Sequence, residues 1–344
     1  MKTSFRIILF FMAISLKGFS QQISFQAGLF TFFDNAEFSH SSVQIPQTMA
    51  GVRFAPEVCL GFDSVHSIVV GVNLLYEYGS DDILGDFAPT AYYRYSGRPF
   101  RFMAGVFPRD YALSRYPRIF FRDSVTYYRP EMCGMLWEYT GKRLFANLWL
   151  DWTNRQSQEM REAFFVGFSG KYTKDIFYIQ HFSYMYHFAG EMDPVIVEPL
   201  HDNLLFLTAG GLDFSGKTIF KQLEINAGWV AGLDRARADY TGWILNTGFL
   251  SEARIEYKRA GIFNTFFTGS GLMYFYEIHD NELYWGDPFY RTYTYNRSDF
   301  YLDFIKNDVV NARFIYSLHF TESTMYHQQV LKVSFNMNNI KLKH

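Results

Sequence analysis

The sequence predicts an all-β fold: a transmembrane antiparallel up-and-down β-barrel of about 16 strands (14 to 18) with short periplasmic turns and long extracellular loops. Three observations carry this. The chain divides into runs of alternating polarity, roughly ten residues or a little longer, as a tilted membrane-spanning strand requires. The connections between runs alternate between tight and long. Aromatic residues make up 20% of the 344 residues, with 38 Phe and 25 Tyr against 10 Pro, an excess that aromatic girdles at two bilayer interfaces would explain. A secreted sandwich or propeller rich in core Phe would give the same composition, so the pattern along the chain has to decide.

The first element is not a strand. Lys2 and Arg6 precede the apolar run IILFFMAI, and Gly18 and Ser20 occupy small-residue positions before Gln21. Residues 1–20 therefore read as a secretory signal peptide and 21–344 as one outer-membrane β-barrel domain. No Cys follows closely, so a lipoprotein anchor is not expected. Loss of the signal removes 3 of 32 basic residues and none of 34 acidic ones, leaving 29 against 34. That mild acidity argues against nucleic-acid binding, which wants a basic face. Beyond residue 20 the apolar runs are too short for a transmembrane helix.

The strand runs follow in order: 22–33, 49–62, 66–79, 87–96, 99–107, 131–140, 142–153, 161–172, 175–189, 203–215, 219–233, 241–257, 260–275, 291–305, 308–320 and 325–337. In RLFANLWLDW (143–152), Leu144, Ala146, Leu148, Leu150 and Trp152 form one face and Arg143, Phe145, Asn147, Trp149 and Asp151 the other. VRFAPEVCLGF, HSIVVGVNLLYEY and run fifteen, Val310 to Phe320, repeat the arrangement. The apolar face is continuous with aromatics near its ends, so it meets lipid; the opposite face mixes small residues with charges and lines a lumen. Closure removes the edge strands that lipid would not tolerate. Cys59 and Cys133 fall on opposite faces of their strands and read as inert fillers without a bridge.

Tight connections such as DSV, GR, GK, SGK and KR alternate with 34–48, 80–86, 108–130, 154–160, 190–202, 234–240 and 276–290. An even strand count puts both termini on the short-turn side. Together these features resemble the porin-like outer-membrane β-barrels of Gram-negative bacteria, especially the aromatic-rich Bacteroidetes type. The resemblance is architectural, and the end SFNMN followed by NIKLKH departs from the usual terminal aromatic. It implies an outer-membrane location and insertion by the outer-membrane assembly machinery.

Charges assigned to the lumen include Arg53, Arg94, Arg101, Arg143, Arg297 and Arg313 against Glu57, Asp151 and Asp299, and over all assigned faces the signs balance, so strong ion selectivity is not expected. They either shape a constriction or pair across the lumen and close it. The 108–130 loop holds Arg115, Arg118 and Arg122 among Tyr127, Tyr128 and other aromatics; Arg forks grip carboxylate or phosphate and aromatic faces stack on sugars. It would fold into the barrel as a constriction or cap it from outside. Trp285 beside Tyr284 in an acidic loop is a second candidate sugar platform, and the acidic loops 190–202 and 276–290 lack the ligand spacing of a calcium loop. No metal site and no cofactor are predicted.

The sequence favours a non-enzymatic channel for small hydrophilic solutes, with lipids and lipopolysaccharide as surroundings. The alternative is a closed barrel whose loops bind glycan, lipopolysaccharide or a partner protein. A third reading is a lipid-modifying enzyme. Outer-membrane phospholipases resemble this chain in carrying a His-x-Ser pair on a barrel strand, here His181 and Ser183, although the Asn-Gly context of that family is absent. His187, four residues past Ser183 on the same face, does not make a metal site without carboxylate or sulfur partners.

Overall fold

The computed structural model describes residues 22–341 apart from 83, 158–159, 191–198, 238–241 and 323. The signal segment and the acidic residues Glu191, Asp193 and Glu198 lie outside that set. Sixteen strands close into one barrel, each hydrogen-bonded to its sequence neighbours and β1 to β16. They are β1 (Gln22–Glu37), β2 (Gln47–Gly61), β3 (His66–Glu77), β4 (Asp86–Tyr95), β5 (Phe100–Pro108), β6 (Glu131–Thr140), β7 (Leu144–Asn154), β8 (Ala163–Lys174), β9 (Phe177–Phe188), β10 (His201–Asp213), β11 (Gln222–Ala236), β12 (Ile244–Tyr257), β13 (Ala260–Gly269), β14 (Thr294–Lys306), β15 (Val310–Phe320) and β16 (Met325–Lys341). The predicted all-β barrel is the observed one. Its strand ends shift by a few residues in both directions: β1, β10 and β11 run further toward the long-loop end than expected, while β13 stops at Gly269, six residues short of the expected 275.

Each strand shows the two faces that lipid outside and protein inside impose. Along β9, Tyr178, Gln180, Phe182, Tyr184, Tyr186 and Phe188 are buried inward while the intervening side chains look outward. The periplasmic girdle is built from ring contacts: His66 with Tyr93 and Tyr95, Phe102 with Trp137, and Phe100 with Tyr139. Such amphipathic rings belong at the headgroup level. Cys59 is buried and Cys133 exposed, both free.

The lumen is not uniform. The long segment 109–130 turns inward, carrying α1 (Asp110–Leu113) and α2 (Asp123–Tyr128). Phe120 is fully buried and Phe121 nearly so, packed on Phe182, Tyr184, Phe165 and Trp149 of the inner wall. The segment 270–293, with α3 (Tyr276–Leu283), lies over it. Backbone bonds join the two: Arg122 N–H donates to Trp285 O at 2.8 Å and Asp287 N–H to Arg118 O at 3.0 Å. Gly286 permits this approach, because a Cβ there would stand 2.2 Å from Ile119 O. The hydrophobic core of this barrel therefore fills the extracellular half of its lumen.

Candidate functional site

The candidate residues fall into a lumenal set and a wall set. Most lumenal charges point inward and are already paired. Arg53 binds Asp86 at 3.0 Å and Asn73 at 2.9 Å, Arg101 binds Glu138 at 2.6 Å, and Asp303 holds Arg313 at 2.5 Å. Arg297 and Asp299 bind each other at 2.7 Å, and Asp299 also receives Arg118 at 2.9 Å. Asp151 is fully buried against Arg109 of the inserted segment. Arg94 donates to the Cys59 sulfur at 3.2 Å, and Glu57 accepts from Gln26. Arg143 is a correction: it sits exposed in the turn before β7, beyond the lumenal wall, because the strand starts at Leu144, two residues later than the expected run.

The loop residues also change role. Arg118 binds Asp123 at 2.8 Å, and Arg122 binds Asn281. Tyr127 stacks on Phe32 at 4.4 Å and donates to Asp34 at 3.1 Å, with Tyr128 against the same ring. Trp285 is 3% exposed, with the Arg109 and Arg129 guanidiniums over its ring. None of these is presented as an external sugar platform. An apolar segment next to a wide lumen buries its rings by turning into it. Arg115 alone of the set remains exposed, its guanidinium 3.7 Å from the Phe145 ring centre.

Asp123 is the electrostatic centre of this docking. Burial would raise its pKa, but Arg118, Lys332 and Arg297 around it outweigh that and hold the carboxyl well below the usual range. Both oxygens are used, one by Arg118 and the other by Lys332 at 3.2 Å.

On the outer wall, His181 and Ser183 lie on the lipid-facing parity of β9. They do not form a dyad here. His181 Nδ1 meets Thr208 Oγ1 across the β9–β10 pair at 2.8 Å, and Ser183 Oγ donates to Phe168 O at 3.5 Å.

Higher on the same wall the strand register assembles a different set. Trp152 pairs with Phe164, Phe164 with His187, His187 with Asp202 and Asp202 with Arg235, one residue from each of β7 to β11. All five belong to the outward parity, so their side chains form a row around the extracellular rim. Trp152 stacks on Phe164 and Phe164 on His187, both with centroids 4.9 Å apart. His187 Nδ1 is 3.0 Å from Asp202 Oδ1. Asp202, 3% exposed, also receives Arg235 at 2.5 Å and Arg237 at 2.9 Å, and Arg235 lies 4.4 Å from the Trp243 ring centre. With the Asp202 carboxylate at Nδ1, the imidazole keeps its proton there, and Nε2 is the nitrogen left to accept one. This is the arrangement of a general base with its orienting carboxylate.

The sequence reading missed this pair because Asp202 was assigned to the preceding loop. The available signal was its parity: Asp202 alternates in phase with Leu204, Phe206 and Thr208. Among the described residues no group of three or more His, Cys, Asp or Glu is placed to hold a metal ion.

Comparison with solved structures returns outer-membrane barrels. The OmpT outer membrane protein of Vibrio cholerae, in a loop-deletion form, matches with TM-score 0.56 and 8% identity over 92% of this chain and 100% of that chain. Pseudomonas aeruginosa OprD matches with TM-score 0.52 and 10% identity over 92% and 95%. At these identities the likeness shows the fold, and with the closed barrel it supports an outer-membrane location. No curated protein matches the chain in sequence. A family model described as lipid A 3'-O-deacylase-type matches residues 15–344. That description names an acyl-ester hydrolase, which overturns the expectation of a barrel without enzymatic activity. The chain belongs to the lipid A 3'-O-deacylase-type family.

Proposed function

We propose that this protein is an outer-membrane hydrolase of acyl esters on a lipid A-type glycolipid, working at the outward rim of β7 to β11. The carrying observation is the His187–Asp202 pair, 3.0 Å apart, on the lipid-facing side of the barrel with Arg235 and Arg237 beside it. His187 Nε2 would take a proton from a water molecule as its oxygen attacks the ester carbonyl. The imidazolium, held by Asp202, would then return the proton to the leaving sugar oxygen. The water oxygen ends in the released fatty acid. The nearby guanidiniums would face the anionic glycolipid headgroup, and Trp152 and Phe164 its acyl chains.

Depth favours this pair over His181 and Ser183. Strands tilted by about 40° rise roughly 2.5 Å per residue along the membrane normal, so six residues put His181 roughly 15 Å below His187. The apolar band is about 25 Å tall. The esters of an outer-leaflet glycolipid lie just beneath its headgroup, at the level of the higher pair.

The packed upper lumen opposes the channel reading. Steady transport needs a continuous polar path, and Phe120, Phe121 and Trp285 fill it.

The test is incubation of refolded protein with lipid A in mixed micelles, with mass spectrometry of the lipid. Loss of one acyl chain is expected, with His187→Ala at least about 100-fold slower, the scale of a general base, and His181→Ala and Ser183→Ala unchanged. The reverse pattern would move the site down the wall, and no hydrolysis by the unmodified protein would defeat the proposal.

A further inference from the structure

Below the inserted segment the lumen reopens. A cavity of about 900 Å³ runs from Arg115 and Arg118 in the roof to Lys306, Gln222 and Asn336 near the periplasmic ends of their strands. A side chamber of about 320 Å³ adjoins it. The two share Ser114, Arg115, Pro117, Glu252, Arg254 and Phe263.

Charge pairing in this cup is uneven. Of the other lining arginines, Arg53, Arg109, Arg118 and Arg313 are in ion pairs and Arg122 binds Asn281. Arg115 and Arg254 have no ion pair among the described residues, and instead lie over aromatic faces, Phe145 at 3.7 Å and Phe263 at 4.5 Å. Two carboxylates lie at the same junction: Glu224, opposite Arg254 across the β11–β12 pair, is taken by Lys171 at 2.9 Å, and Glu252, beside Arg254, meets Asn226 at 3.4 Å. A guanidinium flat on a ring keeps its N–H edges free, and two such edges at one junction suit the planar oxygens of a carboxylate or phosphate.

We infer that the periplasm-facing cup binds a small organic anion, whose carboxylate or phosphate sits between Arg115 and Arg254. The site lies inside the barrel, whereas the proposed hydrolytic site is on its outer wall. It is independent of the proposed ester hydrolysis, so either can fail alone.

The experiment is isothermal titration of the refolded full-length protein with citrate, glycerol 3-phosphate, inorganic phosphate and, as the neutral control, glycerol. Saturable binding of citrate or glycerol 3-phosphate is expected, weakened at least tenfold in Arg115→Ala/Arg254→Ala and absent for glycerol. Preference for citrate assigns the junction to carboxylates and preference for glycerol 3-phosphate to phosphates. Inorganic phosphate, with less of the cavity wall to touch, is expected to bind more weakly than its ester. Access is read separately, in a Cys59→Ser/Cys133→Ser background carrying Arg115→Cys. A polymer-linked maleimide should modify it in membranes with the periplasmic face open and not in intact cells. No saturable binding, an unchanged Kd in the double variant, or labelling from outside would overturn the inference.

Discussion

The two halves of the lumen are built from the same strands yet solve opposite problems. The upper half is packed like the core of a soluble domain, with Phe32, Phe107, Phe120, Phe165 and Phe289 fully buried. The lower half keeps a cavity of about 900 Å³ bordered by charged and polar side chains together with rings such as Phe30, Tyr111 and Phe263. The wall supplies part of this packing, through Phe32 of β1, Phe107 of β5 and Phe165 of β8, and the rest of the difference comes from what the loops deliver. The segments 109–130 and 270–293 bring the rings that fill the upper half, whereas the periplasmic turns are too short to reach inside. A 16-stranded barrel has room for one or the other.

That contrast can be broken most directly by removing the filler. Replacing residues 110–128 with a short Gly/Ser linker should convert a protein silent in planar bilayers into one with steady conductance. Silence of the deletion form would mean that the lower half or the overlying 270–293 segment also blocks the path.

Single buried rings give the next largest effect. Phe120→Ala should lower stability by about 3 to 5 kcal/mol, as large cavities in packed cores do, while Ser334→Ala at the edge of the cup should change it by less than about 0.5 kcal/mol. Urea midpoints followed by tryptophan emission compare the two, and similar costs would refute the asymmetry.

The charge latch comes after. Asp123→Ala leaves Arg118, Lys332 and Arg297 without their shared anion; with the carboxylate about one-fifth exposed and Asp299 still facing Arg118 and Arg297, the cost is about 1 to 3 kcal/mol. The loss should appear as faster proteolysis within 109–130 while the barrel itself persists.

The smallest effect is in pH. The folded pKa of Asp123 lies below its ordinary value, so its contribution is fully present above the unfolded pKa and is lost only as pH falls through the depressed one. The segment should stay docked through neutral and mildly acidic buffers and loosen only below about pH 4, measured by protease sensitivity. Loosening near pH 6 would point to another group.

Strand number, the lipid-facing stripe and the loop asymmetry were all legible in the sequence, since each follows from a period of two and from connector length. RLFANLWLDW reads correctly except for Arg143, which lies just outside β7. The direction of the 109–130 segment was not legible: its arginines and tyrosines suit an outer cap as well as an inner filler, and only the facing wall residues decide. The His187–Asp202 pair depends on long-range register. The two residues are 15 positions apart, and their contact exists only because β9 and β10 pair in one phase.

The inserted segment also meets the place where the barrel closes. Tyr127 stacks on Phe32 of β1 and binds Asp34, while Asp123 holds Lys332 of β16; Phe32 and Lys332 are themselves partners across the β1–β16 pair, and Gln328 of β16 donates to Asp34 at 2.6 Å. The final arrangement of a stretch near the chain's first third thus requires its last strand. During assembly, residues 109–130 cannot complete their contacts until β16 has arrived, so closing the cylinder and filling it are coupled late events. Their long sequence separations place them among the slow steps of folding, and a chain truncated before β16 would lack both the seam and its inner clasp.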